Sequence, residues 1–169
     1  FVDLHLPKYL RALLDEFALP ARLFELELTE QTLVKDMDHA IEMMNNLKLI
    51  GFSFAIDDFG TGYSSLAYIK KMPVDVIKID KSFVFGMLEN HADYQIITST
   101  IAMVKNLGLV VVAEGVESSA QLRSLSDSDC DIIQGYYFSK PIPEQELFEF
   151  IDSQVIDGHW KTAAQVTFQ

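Results

Sequence analysis

Short apolar segments alternate with longer segments of helical period along almost the whole chain. Each apolar segment is apolar on both faces where it begins, as expected for strands of a parallel sheet that is covered by helices. The predicted strands are Leu23 to Leu28, Phe52 to Asp57, Asp75 to Asp80, Leu109 to Glu114 and Asp131 to Tyr136. This alternation restricts the fold to the α/β class.

The segments between the strands have recognisable helix ends. Asp36 is a candidate N-cap, and Gly51 lies where a helix-ending glycine is common. The repeats Ala40, Met44, Leu47 and Ile97, Ile101, Val104 have helical spacing, the second before Gly108. Further helices are predicted over Pro7 to Phe17, Ser65 to Lys71, Ser119 to Leu125 and Pro143 to Ile151.

Acidic or amide side chains lie at the carboxyl ends of the five predicted strands. They are Glu27, Asp57 with Asp58, Asp80, Glu114 and Gln134. An open doubly wound sheet gathers its site at one switch point, whereas a (β/α)8 barrel of the TIM type collects residues from many strand ends around one mouth. The barrel is therefore favoured over the open sheet. A complete barrel takes about 250 residues, so we expect about five of the eight βα units here.

Composition limits the domain count and the partners. With 169 residues, 49% of them hydrophobic, the chain is expected to form one domain over residues 1–169, in which 152–169 are a C-terminal tail. The net charge of −12 argues against binding long nucleic acids. The single cysteine, Cys130, excludes an internal disulfide and fits a reducing compartment. With no membrane span or signal peptide evident, we expect a cytoplasmic segment without membrane contact.

The clustered carboxylates predict a metal site. Anions that meet at semi-buried strand ends repel one another unless cations neutralise them, although any single acid could instead be an N-cap or a solvated charge. Oxygen ligands suit Mg²⁺ or Mn²⁺, with Ca²⁺ as a non-catalytic competitor, and the four histidines show no paired spacing. The adjacent Asp57 and Asp58 could each reach a different ion of a two-metal site that hydrolyses a phosphodiester.

Lys78 lies inside a strand and is flanked by β-branched residues, so its side chain is expected to point into the barrel. A buried lysine needs an anionic partner. It could form a structural ion pair with Asp80 or Glu114, or it could hold the attacking water or a phosphate oxygen. Beside the two aspartates, Gly60 and Gly62 predict a tight functional loop.

In these residues the chain resembles the EAL-type cyclic-di-GMP phosphodiesterase family. The resemblance extends to about Phe150 and rests on five motifs in order. They are Glu27-Leu28-Thr29-Glu30, Asp57-Asp58-Phe59-Gly60-Thr61-Gly62-Tyr63-Ser64-Ser65-Leu66, Lys78-Ile79-Asp80, Ala113-Glu114-Gly115-Val116-Glu117 and Gln134-Gly135-Tyr136. The resemblance implies hydrolysis of cyclic-di-GMP to linear pGpG with two Mg²⁺ or Mn²⁺ ions, and inhibition by Ca²⁺.

The resemblance also implies a role for each matched residue. The metal ligands would be Glu27, Asp57, Asp58 and Glu114. Asp57 would bridge the ions, and Glu114 and Lys78 would act on the water or the phosphate. Glu30 would anchor the loop Phe59, Gly60, Thr61, Gly62, Tyr63, Ser64 and Ser65. Asp80, Glu117 and Gln134 would complete the metal and substrate surroundings.

Two departures from the family pattern stand out. The E-A-L motif and the N-x-S strand would precede Phe1, so the segment alone is expected to be inactive and to self-associate. Asp129 stands where the family often has glycine, and it is expected to adopt a helix-ending left-handed conformation.

Two other functions remain open: a non-catalytic receptor for cyclic-di-GMP or a protein, and a dimerisation platform. The expected partners are cyclic-di-GMP, a second copy of the chain, and an upstream sensor or GGDEF-type domain, through which the full-length protein could be membrane-anchored.

Overall fold

Five parallel strands form the centre of the protein. The computed structural model describes residues 3, 5–29, 37–61 and 69–153, and the backbone of 155–156 and 159–160. The strands are β1 (Glu25–Thr29), β2 (Ser53–Phe59), β3 (Val76–Ile79), β4 (Val110–Ala113) and β5 (Ile132–Ile133). They pair in the order in which they occur along the chain, and every pairing is parallel. A doubly wound sheet would reverse this order at a switch point, so the topology is that of consecutive barrel strands.

Six α-helices lie entirely within the described part of the chain. They are α1 (Leu6–Glu16), α2 (Met37–Ile50), α3 (Lys81–Gly86), α4 (His91–Asn106), α5 (Ser119–Asp127) and α6 (Glu144–Ser153), with a 3₁₀ turn at Ala21–Leu23. Ser118 begins α5 with a capping box, because its hydroxyl accepts the Gln121 N–H while the Gln121 side chain accepts the Ser118 N–H. None of the helices in these described ranges is long and apolar enough to cross a bilayer.

The core lies between the sheet and the helices that cover its outer face. On this face, alternate residues of β2, β3 and β4 are fully buried, including Phe54, Ile77 and Val111. They pack in one cluster with the buried faces of α2 and α4. The opposite face carries a smaller buried cluster of Ala55, Val76 and Val112. The helices therefore cover one face of the sheet, while the buried apolar side chains of the other face are the small ones at its centre.

An ion pair fixes β3 at the end opposite to the predicted site. Lys48, in the last turn of α2, donates to Asp75 with an Nζ to Oδ1 distance of 2.5 Å. The other oxygen of Asp75 accepts the backbone N–H of Phe54 in β2 at 2.8 Å. Because Asp75 comes directly before β3, these bonds join helix, strand and neighbouring strand at the amino-terminal edge of the sheet.

A second ion pair repeats this arrangement two βα units later. Lys105, in the last turn of α4, donates to Asp131 at 2.7 Å, and the other Asp131 oxygen accepts the N–H of Val111 in β4 at 3.0 Å. The hydrogen bonds from Lys105 and Val111 lower the pKa of the Asp131 carboxyl. Asp129 has a φ of 62°, which confirms the predicted left-handed conformation, and its carboxylate also contacts Lys105.

The structure corrects several element boundaries. β5 spans only Ile132–Ile133, because the Gln134 carbonyl accepts the N–H of Val116 in the loop after β4. The short helix α3 and the two-stranded pairing of Val155–Ile156 with His159–Trp160 were not predicted. The predicted N-cap Asp36 and most of the helix Ser65 to Lys71 lie outside the described residues.

Candidate active site

The alternation of side chains along the strands brings the site residues to one face of the sheet. Glu27 in β1 pairs with Ala55 in β2, and Lys78 in β3 pairs with Val112 in β4. Since side chains alternate with a period of two, Glu27 and Lys78 lie on the face of these small apolar partners. Asp57, two residues after Ala55, and Glu114, two residues after Val112, continue this face at the carboxyl ends of their strands. The sheet therefore gathers Lys78 and the carboxylates at one mouth.

Lys78 is at the centre of this group. Its Nζ atom lies 2.8 Å from Glu27 Oε1, 2.8 Å from Glu114 Oε1 and 3.5 Å from Asp57 Oδ1. The residue is only 7% exposed, which confirms the prediction that its side chain points inward. Burial alone would lower the pKa of Lys78, but the hydrogen bonds with Glu114 and Glu27 outweigh burial and raise this pKa above its ordinary value. Lys78 therefore carries its positive charge at every physiological pH.

The negative charge at the mouth exceeds what Lys78 can neutralise. Asp58 has a φ of 54°, a left-handed conformation that turns the chain at the end of β2. Partial burial raises the pKa of Asp58, and the nearby carboxylates of Asp57 and Asp80 raise it further. Glu25, lower on the same face, also has a raised pKa because of burial and the charge of Glu27. Sequence reasoning missed Glu25, although its position two residues before Glu27 could have identified it.

Asp80 has a structural role as well as its place in the acidic group. It is the N-cap of α3, where its carboxylate accepts the backbone N–H of Ser82 at 3.0 Å and also bonds the Ser82 hydroxyl. The alternative interpretation of a single acid as a helix N-cap is therefore correct for Asp80. Its carboxylate nevertheless lies close enough to Asp58 to raise the pKa of that group.

The loop after β2 is described as far as Thr61. The Thr61 hydroxyl donates to the Asp58 carbonyl at 2.9 Å. Gly60 has a φ of 100°, and a β-carbon at this position would lie 2.9 Å from the ring of Phe83 in α3. Phe59 is buried in the core. The other predicted loop residues and the proposed anchor lie outside the described residues: Gly62, Tyr63, Ser64, Ser65 and Glu30.

A cleft of about 310 Å³ opens beside Glu114. It is lined by Lys81, Phe85, Glu114, Gly115, Glu117, Gln134, Gly135 and Tyr136. Glu117 and Gln134 were predicted to surround the substrate, and both lie here. Lys81 and Phe85 were missed, because the helix α3 that presents them four residues apart was not predicted.

Two loops approach each other closely at the wall of this cleft. The N–H of Val116, after β4, donates to the Gln134 carbonyl at 3.1 Å, and the N–H of Tyr137 donates to the Val116 carbonyl at 2.8 Å. A β-carbon on Gly135 would lie 2.1 Å from the Val116 carbonyl oxygen. Only glycine fits at position 135, where the backbones of the two loops are in contact. The contact therefore fixes the position of the neighbouring Gln134.

The carboxylates are suited to divalent cations by donor type. Among residues 3, 5–29, 37–61 and 69–153, no three Asp, Glu, His or Cys side chains enclose a metal-sized space on their own. Instead, the Lys78 ammonium lies among Glu27, Asp57 and Glu114. The donors are all carboxylate oxygens and carry excess negative charge, the combination that Mg²⁺ and Mn²⁺ favour.

Comparisons with known proteins identify the family. The EAL domain family model matches residues 1–141. The cyclic di-GMP phosphodiesterase NbdA of Pseudomonas aeruginosa is 43% identical over 148 residues, which cover 88% of this chain and 19% of NbdA. The chain thus spans about a fifth of the length of this relative.

Solved structures share the fold. The PaMucR phosphodiesterase in complex with c-di-GMP matches with a TM-score of 0.83 and 35% identity, over 86% of this chain and 59% of that one. Klebsiella pneumoniae BlrP1, in a manganese and cyclic-di-GMP complex, matches with a TM-score of 0.77 and 29% identity, over 83% of this chain and 36% of that one. Together with the family match over most of its length, these similarities establish that the chain belongs to the EAL domain family.

Proposed function

We propose that the protein containing this chain hydrolyses cyclic-di-GMP to linear pGpG with the help of Mg²⁺ or Mn²⁺. The observation that carries the proposal is the convergence of Glu27, Asp57 and Glu114 on Lys78 at the carboxyl ends of adjacent strands. Two similar proteins support the choice of substrate, since NbdA is named a cyclic di-GMP phosphodiesterase and the PaMucR structure is a c-di-GMP complex.

The carboxylates at the mouth would hold the metal ions. The ligands would be Glu27, Asp57, Asp58 and Glu114, with Asp57 shared between two ions and Asp80 supporting Asp58. When bound, the ions would stabilise charge on the phosphate and lower the pKa of the attacking water. The manganese and cyclic-di-GMP complex of BlrP1 supports a divalent ion beside this substrate. Ca²⁺ is expected to inhibit, because it prefers more ligands and a looser geometry.

Lys78 and Glu114 would act on the reacting groups. Glu114 directly follows β4, and its carboxylate at the mouth can accept the proton of the attacking water. Lys78 can donate a hydrogen bond to that water or to a non-bridging phosphate oxygen. The water oxygen bonds to phosphorus, the bond from phosphorus to the 3′ oxygen breaks, and that oxygen takes a proton. The product is a linear dinucleotide with a 5′ phosphate.

The cleft beside Glu114 would receive part of the dinucleotide. Its volume of about 310 Å³ is sufficient for a nucleobase, and Glu117 and Gln134 offer polar groups at its edge.

We further propose that Glu30 anchors the loop through Ser65 and that residues 1–169 form one domain with a tail from 152. We also propose that the protein is a cytoplasmic homodimer with upstream sensor or GGDEF-type domains. The chain spans 19% of NbdA, so the relative has ample length for additional domains.

A hydrolysis assay on the intact protein tests this proposal. With Mg²⁺ or Mn²⁺, we expect chromatography to show cyclic-di-GMP converted to pGpG. A chelator should stop the conversion, and Ca²⁺ should not restore it. Tight binding of cyclic-di-GMP without product, in the presence of either metal, would contradict hydrolysis and establish the receptor function instead.

A further inference from the structure

Lys78 contacts three of the four carboxylates that are proposed to bind metal. The Lys78 Nζ atom lies 2.8 Å from Glu27 Oε1, 2.8 Å from Glu114 Oε1 and 3.5 Å from Asp57 Oδ1. These carboxylate oxygens are the atoms that would bind the metal ions. An ammonium within these distances of three anions makes the contacts that a bound cation would make. Lys78 is buried, so water screens little of the attraction between its ammonium and the carboxylates.

A divalent ion and the Lys78 ammonium would compete for these oxygens. Like charges a few ångströms apart repel strongly in a semi-buried site, and an oxygen that coordinates a metal has less electron density to offer to an N–H donor. Both cations could share the site only if Lys78 gave up at least one of its partners.

We propose that Lys78 is an internal counter-ion that holds the metal-binding carboxylates together before metal binds and is displaced from them when metal enters. The inference rests on the proposed metal site. The lysine side chain is a flexible four-carbon stem with a compact charge, which allows the ammonium to change partners without movement of β3. After displacement, the ammonium is released for the attacking water or the substrate phosphate, which links metal loading to the assembly of the catalytic groups.

Calorimetric titration of the intact protein with MnCl₂ tests the exchange. The variant Lys78→Met keeps the length of the side chain and removes its charge. It should bind Mn²⁺ at least about tenfold more tightly than the unmodified protein, since a competing unit charge a few ångströms from the ligand oxygens is gone. Lys78→Arg keeps the charge and should show no gain in affinity.

Lys81→Met is the matched control. Lys81 lies at the same mouth, beside the cleft, but it forms none of the ion pairs found among the described residues. Its loss changes the net charge equally, so a general field effect would raise the Mn²⁺ affinity of both methionine variants alike. That outcome would overturn the proposal, as would equal or weaker binding by Lys78→Met. Absence of Mn²⁺ binding in all of the proteins would instead refute the metal site itself.

A measurement on the unmodified protein covers the case in which Lys78→Met fails to fold. In protein labelled with ¹³C-lysine, the Lys78 side-chain signal can be assigned by its absence from the Lys78→Arg spectrum. Saturation with Mg²⁺ should shift this signal much more than that of Lys81. If Mg²⁺ binds and the Lys78 signal does not move, the ammonium keeps its partners and no exchange occurs.

Discussion

Replacement of Asp57 by asparagine is expected to lower kcat for cyclic-di-GMP hydrolysis by roughly a thousandfold. Asparagine keeps the size of the side chain but loses the charge that would bind both metal ions. Metal ions stabilise the transition state by several kcal/mol, and about 1.4 kcal/mol corresponds to a factor of ten in rate. The amide oxygen can still accept the Asp58 N–H, which the Asp57 carboxylate accepts at 3.0 Å. The melting temperature should therefore change little.

Asp75→Asn is the matched control for this variant. Asp75 is an acid at the other end of the neighbouring strand, and its partners are Lys48 and the Phe54 N–H. Removing this charge should weaken the fold slightly and leave kcat near its original value at a temperature where the protein is folded. Steady-state kinetics of both variants with Mn²⁺ make the comparison. Near-normal turnover by Asp57→Asn would remove Asp57 from the mechanism.

Gly135→Ala is expected to disturb both the stability and the activity. The new β-carbon would lie 2.1 Å from the Val116 carbonyl oxygen and 2.3 Å from the Val116 nitrogen, and these backbone atoms cannot rotate away. Overpacking of this kind costs about 1–3 kcal/mol of unfolding free energy. The loops that carry Glu114 and Gln134 must then separate, and a displacement of about 1 Å at an active site can reduce the rate roughly a hundredfold.

Gly108→Ala separates this effect from ordinary glycine strain. Gly108 has a φ of 75° but open space around the position of a β-carbon, whereas Gly135 does not have a positive φ and has no space. Gly108→Ala should cost about 1 kcal/mol of backbone strain and leave the kinetics unchanged. Urea unfolding and kcat for the two variants provide the test. Equal loss of activity in both would mean that the contact between Gly135 and Val116 does not position the site.

The structural features that were predicted correctly from the sequence are those that a pattern in the sequence indicates. The placement of Lys78 followed from its β-branched neighbours and the period of two along a strand, and the left-handed φ of Asp129 followed from the end of a predicted helix. The parallel sheet followed from the alternation of apolar and helical segments. The first two features depend on residues within a few positions in the chain, and the third depends on a pattern that repeats along it.

The parts that were missed depend on contacts between distant segments. β5 ends early because the Gln134 carbonyl bonds the Val116 N–H, 18 positions away in the chain. The six-residue helix α3 is too short to show a helical repeat, so Lys81 and Phe85 could not be placed at the cleft. The ion pair of Lys48 with Asp75 joins residues 27 positions apart, and no local pattern indicates it.

Anomalous diffraction at the manganese edge is the most direct test of the metal site. Crystals of the intact protein grown with MnCl₂ and the product pGpG should give anomalous peaks in bonding contact with the carboxylates of Glu27, Asp57, Asp58 and Glu114, with the Lys78 ammonium moved away from at least one of its present partners. Clear density for pGpG without any manganese peak at these carboxylates would contradict the account.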